Sequence, residues 1–212
     1  MNIRKLLDSV TSYEGYRHVP PPNSKLGLKY IDELLKNPAQ PIVLDMDMDP
    51  DGMLSTKILH DTLIELGFKN VHVNIPKSKR HGIDQSTIDS LEKYNSKHLI
   101  ILDSSTNSLT ELTTLTSLGV KVLIIDHHIP EYNLKDYPNG VSIISNKFES
   151  TELDNVSAGY LTYLFTEELR LKHKLPVSKE NRIWGYVTLI SDICKLSCPY
   201  IKPIVLDIKK YK

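Results

Sequence analysis

Short, mostly apolar runs alternate with longer amphipathic segments along most of the chain, and this alternation limits the possible folds more than any other sequence feature. The apolar runs at 42–44, 99–102, 120–125 and 141–144 are predicted strands, and so is the segment at 71–75, in which apolar and polar residues alternate. Strands that are apolar on both faces are typical of a parallel sheet with helices on both sides. We therefore predict an α/β fold, a mainly parallel β-sheet covered by helices on both faces in a Rossmann-like arrangement.

The predicted helices between and after these strands lie at 30–35, 52–66, 84–94, 109–118, 157–172 and 179–194. Asp84 is a plausible N-cap, and Gly67 and Gly119 each follow a helix as end signals. Residues 1–40 are a mixed lead-in, with helical spacing of apolar side chains near the start and prolines at 20–22. We expect an N-terminal helical lead-in over 1–40 and one main domain over 41–212.

Composition narrows the class of protein. The chain has 212 residues, with 26 Lys plus Arg balanced by 26 Asp plus Glu, so capture of nucleic acid by overall positive charge is not expected. Cys194 and Cys198 are the two cysteines and are read as reduced thiols, with a metal role as a minor alternative. Neither a signal peptide nor an apolar run of about 20 residues is present. These features predict a cytoplasmic protein without a membrane partner.

Four aspartates fall at every second position directly after the first strand: Asp45, Asp47, Asp49 and Asp51. This much negative charge is buried only where a positive charge neutralises it, so the run is either a solvated turn or one wall of a hard-cation site. The run also matches the start of an EF-hand calcium loop. That match fails because Ile58 stands where the last ligand, a glutamate, is required, and because a strand precedes the loop.

Two further strands end in metal-capable residues. Asp103 follows the strand at 99–102, and Asp126, His127 and His128 follow the strand at 120–125. The carboxyl ends of parallel strands meet at one edge of a sheet, where ligands bind. An aspartate after a strand is also often a turn former or a helix N-cap, and for Asp103 alone that reading has comparable weight. Adjacent histidines behind a carboxylate, however, suit manganese and similar ions.

The ordered set of motifs resembles the DHH phosphoesterase superfamily, and its nearest branch is the RecJ-like group of single-strand nucleases. The motifs that carry the resemblance are Asp47–Gly52, Arg80-His81-Gly82, Leu102-Asp103, Asp126-His127-His128, Asn146-Lys147, Ser157-Ala158-Gly159 and Gly185–Asp192. Each motif is weak by itself. Their order along the chain, from about residue 42 to the end, makes the resemblance specific.

This resemblance implies two divalent ions, usually Mn²⁺ with Mg²⁺ possible, in a shared site. The residues implied for the first ion are Asp45, Asp49 and Asp103, and those for the second are Asp51, Asp103, His127 and Asp192. Asp103 is thus the implied bridge. Many members of the superfamily have a histidine at the position of Asp45, and relatives tend to have a glycine near Ser104-Ser105, so this chain departs from its relatives at both places.

The resemblance also implies catalytic roles for Asp103, Asp126 and His128. His128 is expected to contact the scissile phosphate or to act as general acid, and Asp126 to orient His127. Arg80 and His81 are candidates for holding a substrate phosphate, although a solvated surface loop is an equal alternative. Two residues have supporting roles: Asp47 as a structural neighbour of the ligands and Gly52 as a sharp exit into a helix that faces phosphate.

The function implied is that of a single-stranded DNA exonuclease that acts on single-stranded nucleic acid or short oligonucleotides. A phosphodiesterase for short oligonucleotides or cyclic dinucleotides and a pyrophosphatase are alternatives within the enzymes. A non-catalytic DHH scaffold in replication or repair is an alternative of another class. No C-terminal DHH-associated domain is recognised in the sequence. We therefore expect a minimal catalytic domain, a fragment, or a chain whose substrate clamp comes from a partner protein or second subunit.

Overall fold

The computed structural model describes residues 19–76, 82–149, 151–194 and 200. Within these residues, five strands form one sheet in the order β2-β1-β3-β4-β5, with every neighbouring pair parallel. The strands are β1 (Ile42–Met46), β2 (Val71–Asn74), β3 (His98–Leu102), β4 (Lys121–Ile125) and β5 (Val141–Ile144). The predicted parallel α/β architecture is confirmed.

Six α-helices in the described part of the chain cover the sheet. They are α1 (Ser24–Leu35), α2 (Pro50–Glu65), α3 (Gln85–Lys93), α4 (Leu109–Ser117), α5 (Ala158–His173) and α6 (Lys179–Ser191), with a 3₁₀ turn at Leu134–Asp136. Each predicted helix in these residues is present, with ends shifted by a few positions. The largest shift is in α1, which begins at Ser24 instead of Tyr30. None of the described helices combines the length and the apolar character that crossing a membrane requires.

Two apolar layers explain why the strands read as continuous apolar runs. In β3, Leu99 and Ile101 pack into the layer beneath α3 and α4, whereas Ile100 and Leu102 pack into the layer beneath α1, α2, α5 and α6. All four side chains are fully buried. Each such side chain contributes about 1.5–3 kcal/mol of burial free energy, so neither face of the strand tolerates polar residues.

The lead-in before β1 contributes to the main core. Ile31 and Leu34 of α1 are buried in the same layer as α5, and a Cβ at Gly27 would lie 2.6 Å from Cδ1 of Ile144. The lack of a side chain at Gly27 therefore lets α1 approach β5 this closely without displacing the Ile144 side chain. The division at residue 40 stays a prediction, and the helix expected near residues 3–10 lies outside the described residues.

Local start and stop signals act as predicted. The Asp84 carboxylate caps α3 by accepting hydrogen bonds from the backbone N–H groups of Ser86 and Thr87. Gly67 and Gly119 follow α2 and α4 with φ of 96° and 78°. Glycine adopts this left-handed backbone without a steric penalty, so both helices end where the sequence indicates.

The hydrogen-bond ladder continues one residue beyond three of the strands and aligns their ends. The backbone N–H of Asp47 donates to Leu102 O (3.3 Å). In the same way, Asp103 N–H donates to Ile125 O (2.9 Å), and Asp126 N–H donates to Ile144 O (3.1 Å). These bonds place the three aspartates side by side along the carboxyl edge of the sheet.

Candidate metal centre

Three carboxylates from two neighbouring strand ends form the first part of the centre. Oxygen atoms of Asp47, Asp49 and Asp103 all lie within 4.8 Å of one another. Asp49 is also the N-cap of α2, because its Oδ1 accepts hydrogen bonds from the backbone N–H groups of Asp51 and Gly52, both at 3.1 Å. In the sequence analysis, helix capping was an alternative to metal binding for an aspartate after a strand. Asp49 caps a helix and also lies among the possible metal ligands, so the two roles are compatible.

Gly52 lets α2 begin directly against Asp47. A Cβ at this position would lie 2.6 Å from the backbone oxygen of Asp47 and 2.8 Å from its Cβ. Any other residue would push the helix away from the strand end. The predicted sharp exit at Gly52 therefore fixes the position of Asp47 as well as the direction of the helix.

His127 joins the carboxylates of three different chain segments. Its Nε2 lies 3.3 Å from Oδ1 of Asp103 and 3.9 Å from Oδ2 of Asp51, and its Nδ1 lies 3.6 Å from Oδ2 of Asp192. Asp51, His127 and Asp192 form a second group of possible ligands, and Asp103, His127 and His128 form a third. Asp103 and His127 therefore each belong to two of the three groups.

Asp51 is held in place by the start of α5. Its two carboxylate oxygens accept hydrogen bonds from the backbone N–H groups of Ala158 and Gly159, each at 2.9 Å. A Cβ at Gly159 would lie 2.3 Å from Cγ2 of Thr188, so the small residue lets α5 pack closely against α6. The motif at 157–159 thus positions a candidate ligand through backbone donors.

Buried negative charge at the centre provides a test of whether the residues fit a cation. Burial, together with the charge of Asp103, raises the pKa of Asp51 well above its ordinary value. Burial, and then the charges of Asp126 and Asp49, raises the pKa of Asp103 to about 9. Carboxylates packed this closely are stabilised in their charged form by a positive ion. Oxygen donors with one imidazole suit Mn²⁺ or Mg²⁺, so the donor set fits the ions expected.

The partner of Asp126 differs from the prediction. Asp126 was expected to orient His127, but its Oδ1 lies 2.6 Å from Nδ1 of His128 and also accepts the backbone N–H of His128. Its Oδ2 accepts hydrogen bonds from the backbone N–H and the hydroxyl of Thr106, at 3.2 and 2.5 Å. The tight turn after β4 brings His128, and not the adjacent His127, back to the Asp126 carboxylate.

This pairing shifts the pKa values of Asp126 and His128 in opposite directions. The pKa of Asp126 falls to about 2, because the hydrogen bonds and charge of His128 outweigh the effect of burial, which by itself raises it. The pKa of His128 rises to about 9, first because of the hydrogen bond to Asp126. In the metal-free protein this contact favours the protonated form of the partly exposed His128 ring.

Asp45 does not join the other candidate ligands. β1 extends to Met46, so Asp45 lies inside the strand on the same face as Val43, and this face packs against α3. Its carboxylate accepts hydrogen bonds from Nδ2 of Asn74 (2.7 Å) and from the hydroxyl of Thr87 (2.9 Å). None of the three groups of possible ligands among the described residues includes it. Asp47, predicted to be only structural, stands in its place.

The remaining predicted site residues divide into two sets. Asp192 is brought to the centre as the C-cap residue of α6, which ends at Ser191. Arg80 and His81 lie outside the described residues. Sequence reasoning missed Thr106, Asn74 and Thr87, which hold Asp126 and Asp45. Of these three residues, only Asn74 could have been recognised from the sequence, because it is a polar residue at the end of β2, at the same edge of the sheet.

Comparison with known proteins identifies a family. The family model described as the N-terminal domain of the DHH family matches residues 41–183. The single-stranded-DNA-specific exonuclease RecJ of Haemophilus influenzae is 29% identical over 118 residues, which cover 53% of this chain and 20% of that protein. The chain therefore spans about a fifth of the length of this curated relative.

Solved structures show the same fold. A crystal structure of exonuclease RecJ bound to manganese superposes with a TM-score of 0.76 at 22% identity, covering 91% of this chain and 48% of the other. RecJ from Thermus thermophilus in complex with Mn²⁺ gives a TM-score of 0.73 at 22% identity, covering 92% of this chain and 28% of the other. These similarities support the α/β architecture derived above.

Proposed function

The chain belongs to the DHH family, and from this premise we propose that it is a single-strand DNA exonuclease that hydrolyses phosphodiester bonds. The family that the motifs resemble is the family whose model matches, so that prediction is confirmed. Its class, a metal-dependent hydrolase of the DHH phosphoesterase type, is confirmed with it. The nucleic acid substrate, the ions and the residue roles that follow are the proposal.

One observation carries the proposal: the three groups of possible ligands overlap. Asp103 links the group at the end of β1 with the two histidines after β4, and His127 links Asp103 with Asp51 and Asp192. A solvated turn does not explain this overlap, because Asp47, Asp51 and Asp103 are each only 2% exposed. Carboxylates buried together in this way stay ionised only where a cation neutralises them.

We assign two divalent ions to the centre, with Mn²⁺ preferred. Bound there, such ions lower the pKa of a water molecule and stabilise charge on the phosphoryl oxygens. The residues that would hold them are Asp47, Asp49, Asp51, Asp103, His127 and Asp192. Crystal structures of RecJ with manganese, which share this fold, support the choice of metal.

His128 has the chemistry of a general acid. Its Nδ1 is bonded to Asp126, so Nε2 is the atom that would donate a proton to the leaving oxygen or a hydrogen bond to the phosphate. The hydrogen bond to Asp126 raises the pKa of His128 and so favours the protonated ring, which suits this role because a general acid must hold its proton before the reaction. Asp126 positions the ring and takes no part in proton transfer itself.

A panel of substrates tests the proposal. Purified protein with Mn²⁺ is incubated with 5′-labelled and 3′-labelled single-stranded DNA, dinucleotides, a cyclic dinucleotide and pyrophosphate. We expect mononucleotides to be released from single-stranded DNA, and Asp103→Asn to abolish the release. Thr113→Ala, in an exposed position of α4 away from the centre, is the matched control and should leave the rate unchanged.

The same panel separates the alternatives. Cleavage restricted to dinucleotides or pyrophosphate would replace the exonuclease with a small-substrate phosphoesterase. Absence of cleavage on every substrate, in protein that binds Mn²⁺, would favour the non-catalytic scaffold. Absence of Mn²⁺ binding by calorimetry would contradict the assignment of the centre itself.

A further inference from the structure

A cavity next to the metal centre combines aromatic rings with a lysine. It has a volume of about 310 Å³, and its walls come from the loop after β4, at 130–134, and the segment after β5, at 147–149. We propose that this cavity binds one base of a nucleotide substrate, with the adjoining phosphate on Lys147. This inference rests on the proposed function and names the part of the substrate that the chain recognises.

Two rings of the cavity are fixed by a third ring behind them. Tyr132 and Phe148 each meet Tyr137 edge to face, with ring centroids 6.4 and 6.0 Å apart and ring planes at 86° and 87°. The Tyr137 hydroxyl donates a hydrogen bond to the backbone oxygen of Thr106 at 2.7 Å. Because Thr106 also binds Asp126, the rings are tied to the residue that positions His128.

The loop that carries Tyr132 is also tied down. The side-chain amide of Asn107 donates from Nδ2 to Ile129 O at 3.0 Å, and its Oδ1 accepts the backbone N–H of Glu131 at 2.8 Å. One side chain therefore bridges both ends of the turn between His128 and Tyr132. A wall that is already ordered loses less entropy when a ligand binds.

Lys147 connects the cavity with the metal centre. It lines the aromatic cavity and also a second cavity of about 170 Å³, which it shares with His127 and Asp192. Its Nζ donates to the backbone oxygen of Asp154, which lines the second cavity, so the ammonium group is anchored on the side of the metal centre. A lysine beside aromatic rings is the combination with which proteins bind single-stranded nucleic acid, through phosphate and base stacking respectively.

The other charges of the cavity decide which part of a nucleotide it takes. Glu131 and Glu149 line it, and their carboxylates repel a phosphate group. The same carboxylates accept hydrogen bonds from the exocyclic amino group of cytosine. A base therefore belongs in the cavity and the phosphate at Lys147.

Binding of strands that resist hydrolysis tests this inference. We would measure the affinity of the metal-loaded protein for a phosphorothioate pentamer of deoxycytidylate and for an abasic phosphorothioate pentamer of equal length, by fluorescence anisotropy. The wild type should bind the strand with bases about 10-fold more tightly. Tyr132→Leu and Phe148→Leu should remove this difference, whereas Tyr132→Phe, which keeps the ring, should retain it. Tyr94→Leu, at the opposite edge of the sheet, is the matched aromatic control.

Lys147 is tested in the same experiment. Lys147→Gln should weaken the binding of both pentamers by a similar factor and reduce the slope of log affinity against log salt by about 1. Lys147→Arg should restore most of the affinity. Lys121→Gln, at the start of β4, is the matched control and should change neither value.

Two outcomes would overturn the inference: equal affinity of the wild type for both pentamers, or an unchanged base preference in Tyr132→Leu. The first needs no variant, so a folding defect cannot hide it. The assay also separates this inference from the proposed function. Strand cleavage without base preference would contradict the base site in the cavity and still support the proposed exonuclease activity. Base preference without cleavage would support the base site and contradict the exonuclease activity.

Discussion

The carboxylate of Asp126 lies 2.6 Å from Nδ1 of His128, and this contact determines the different roles of the two adjacent histidines. His127 is left to face Asp51, Asp103 and Asp192 with both ring nitrogens. His128 is turned outwards, with 42% of its side chain exposed. His127 therefore lies between three carboxylates, whereas Nδ1 of His128 is bonded to Asp126 and its ring is turned towards solvent.

Asp126→Asn should lower the pKa of His128 in the metal-free protein from about 9 towards the ordinary histidine value near 6.5, because it removes the charge and the acceptor that stabilise the imidazolium. The measurement is an NMR titration of the His128 ring protons. The rate of strand cleavage should fall at least about 10-fold with Mn²⁺ affinity nearly unchanged. An unchanged His128 titration would show that this contact does not form in solution.

Asp103→Asn should stabilise the metal-free protein while it abolishes metal binding. Asp103 has φ of 63°, a backbone conformation that asparagine also tolerates, so the replacement introduces no strain. It removes a buried acidic group that resists ionisation. Near pH 7 we expect the melting temperature to rise by at least about 2 °C without metal, the shift that about 1 kcal/mol gives in a domain of this size. A lower melting temperature would contradict the account.

The stability difference between wild type and Asp103→Asn should depend on pH in a defined direction. The folded protein holds the Asp103 proton up to about pH 9, whereas the unfolded chain releases it near pH 4. The wild type therefore loses stability from Asp103 as the pH rises through this window. Chemical denaturation in EDTA at pH 5, 7 and 9 should show the advantage of Asp103→Asn growing with pH. A stability difference that does not change with pH would mean that the pKa of Asp103 is not raised in the folded protein, which would contradict its burial among other carboxylates.

Asp45 and Asp47 should respond differently to the same substitution. Asp47→Asn should weaken Mn²⁺ binding, because its carboxylate lies with Asp49 and Asp103. Asp45→Asn should leave Mn²⁺ binding within about 3-fold but lower the free energy of unfolding by about 1–3 kcal/mol, because Asn74 and Thr87 lose a charged acceptor. Calorimetric titration and denaturation of both variants give the comparison. The reverse pattern would restore Asp45 as the ligand implied by the resemblance.

Gly52→Ala should disturb the centre by displacing Asp47. The added methyl group would meet the Asp47 backbone, and we expect destabilisation of about 1–3 kcal/mol with at least about 10-fold weaker Mn²⁺ binding. Gly119→Ala is the matched control. Gly119 has a positive φ and lies before β4, at the amino ends of the strands and away from the centre, and a Cβ there meets no atom within 4 Å. The substitution strains the backbone, so it should cost stability and leave Mn²⁺ affinity unchanged. Equal losses of affinity in both variants would mean a general effect of stability.

The sequence predicted most of the fold because apolar runs and strand ends are local signals. Leu99–Leu102 is recognisable as a doubly buried strand without any knowledge of its neighbours, and Asp103 and Asp126 follow strands whose last residues are unambiguous. Parallel pairing then brings those ends to one edge. The same reasoning failed at Asp45, because the apolar run at 42–44 does not show that β1 continues through two more residues.

The remaining errors arose from contacts between distant segments. Whether Asp126 bonds to His127 or His128 depends on the turn after β4 and on Thr106, which is 20 positions away in the chain. The contact of Tyr137 with the Thr106 backbone oxygen, about which the sequence made no prediction, likewise depends on the turn after β3. Neither arrangement follows from residue spacing or hydropathy.

Anomalous diffraction from crystals grown with Mn²⁺ tests the central claim most directly. Two anomalous peaks should flank the Asp103 carboxylate, about 3.5–4 Å apart, one next to Asp47 and Asp49 and the other next to Asp51, His127 and Asp192. Crystals of Asp103→Asn should lack both peaks. A peak at the Asp45 carboxylate, or no peak at the carboxyl edge of the sheet, would contradict the assignment of this centre.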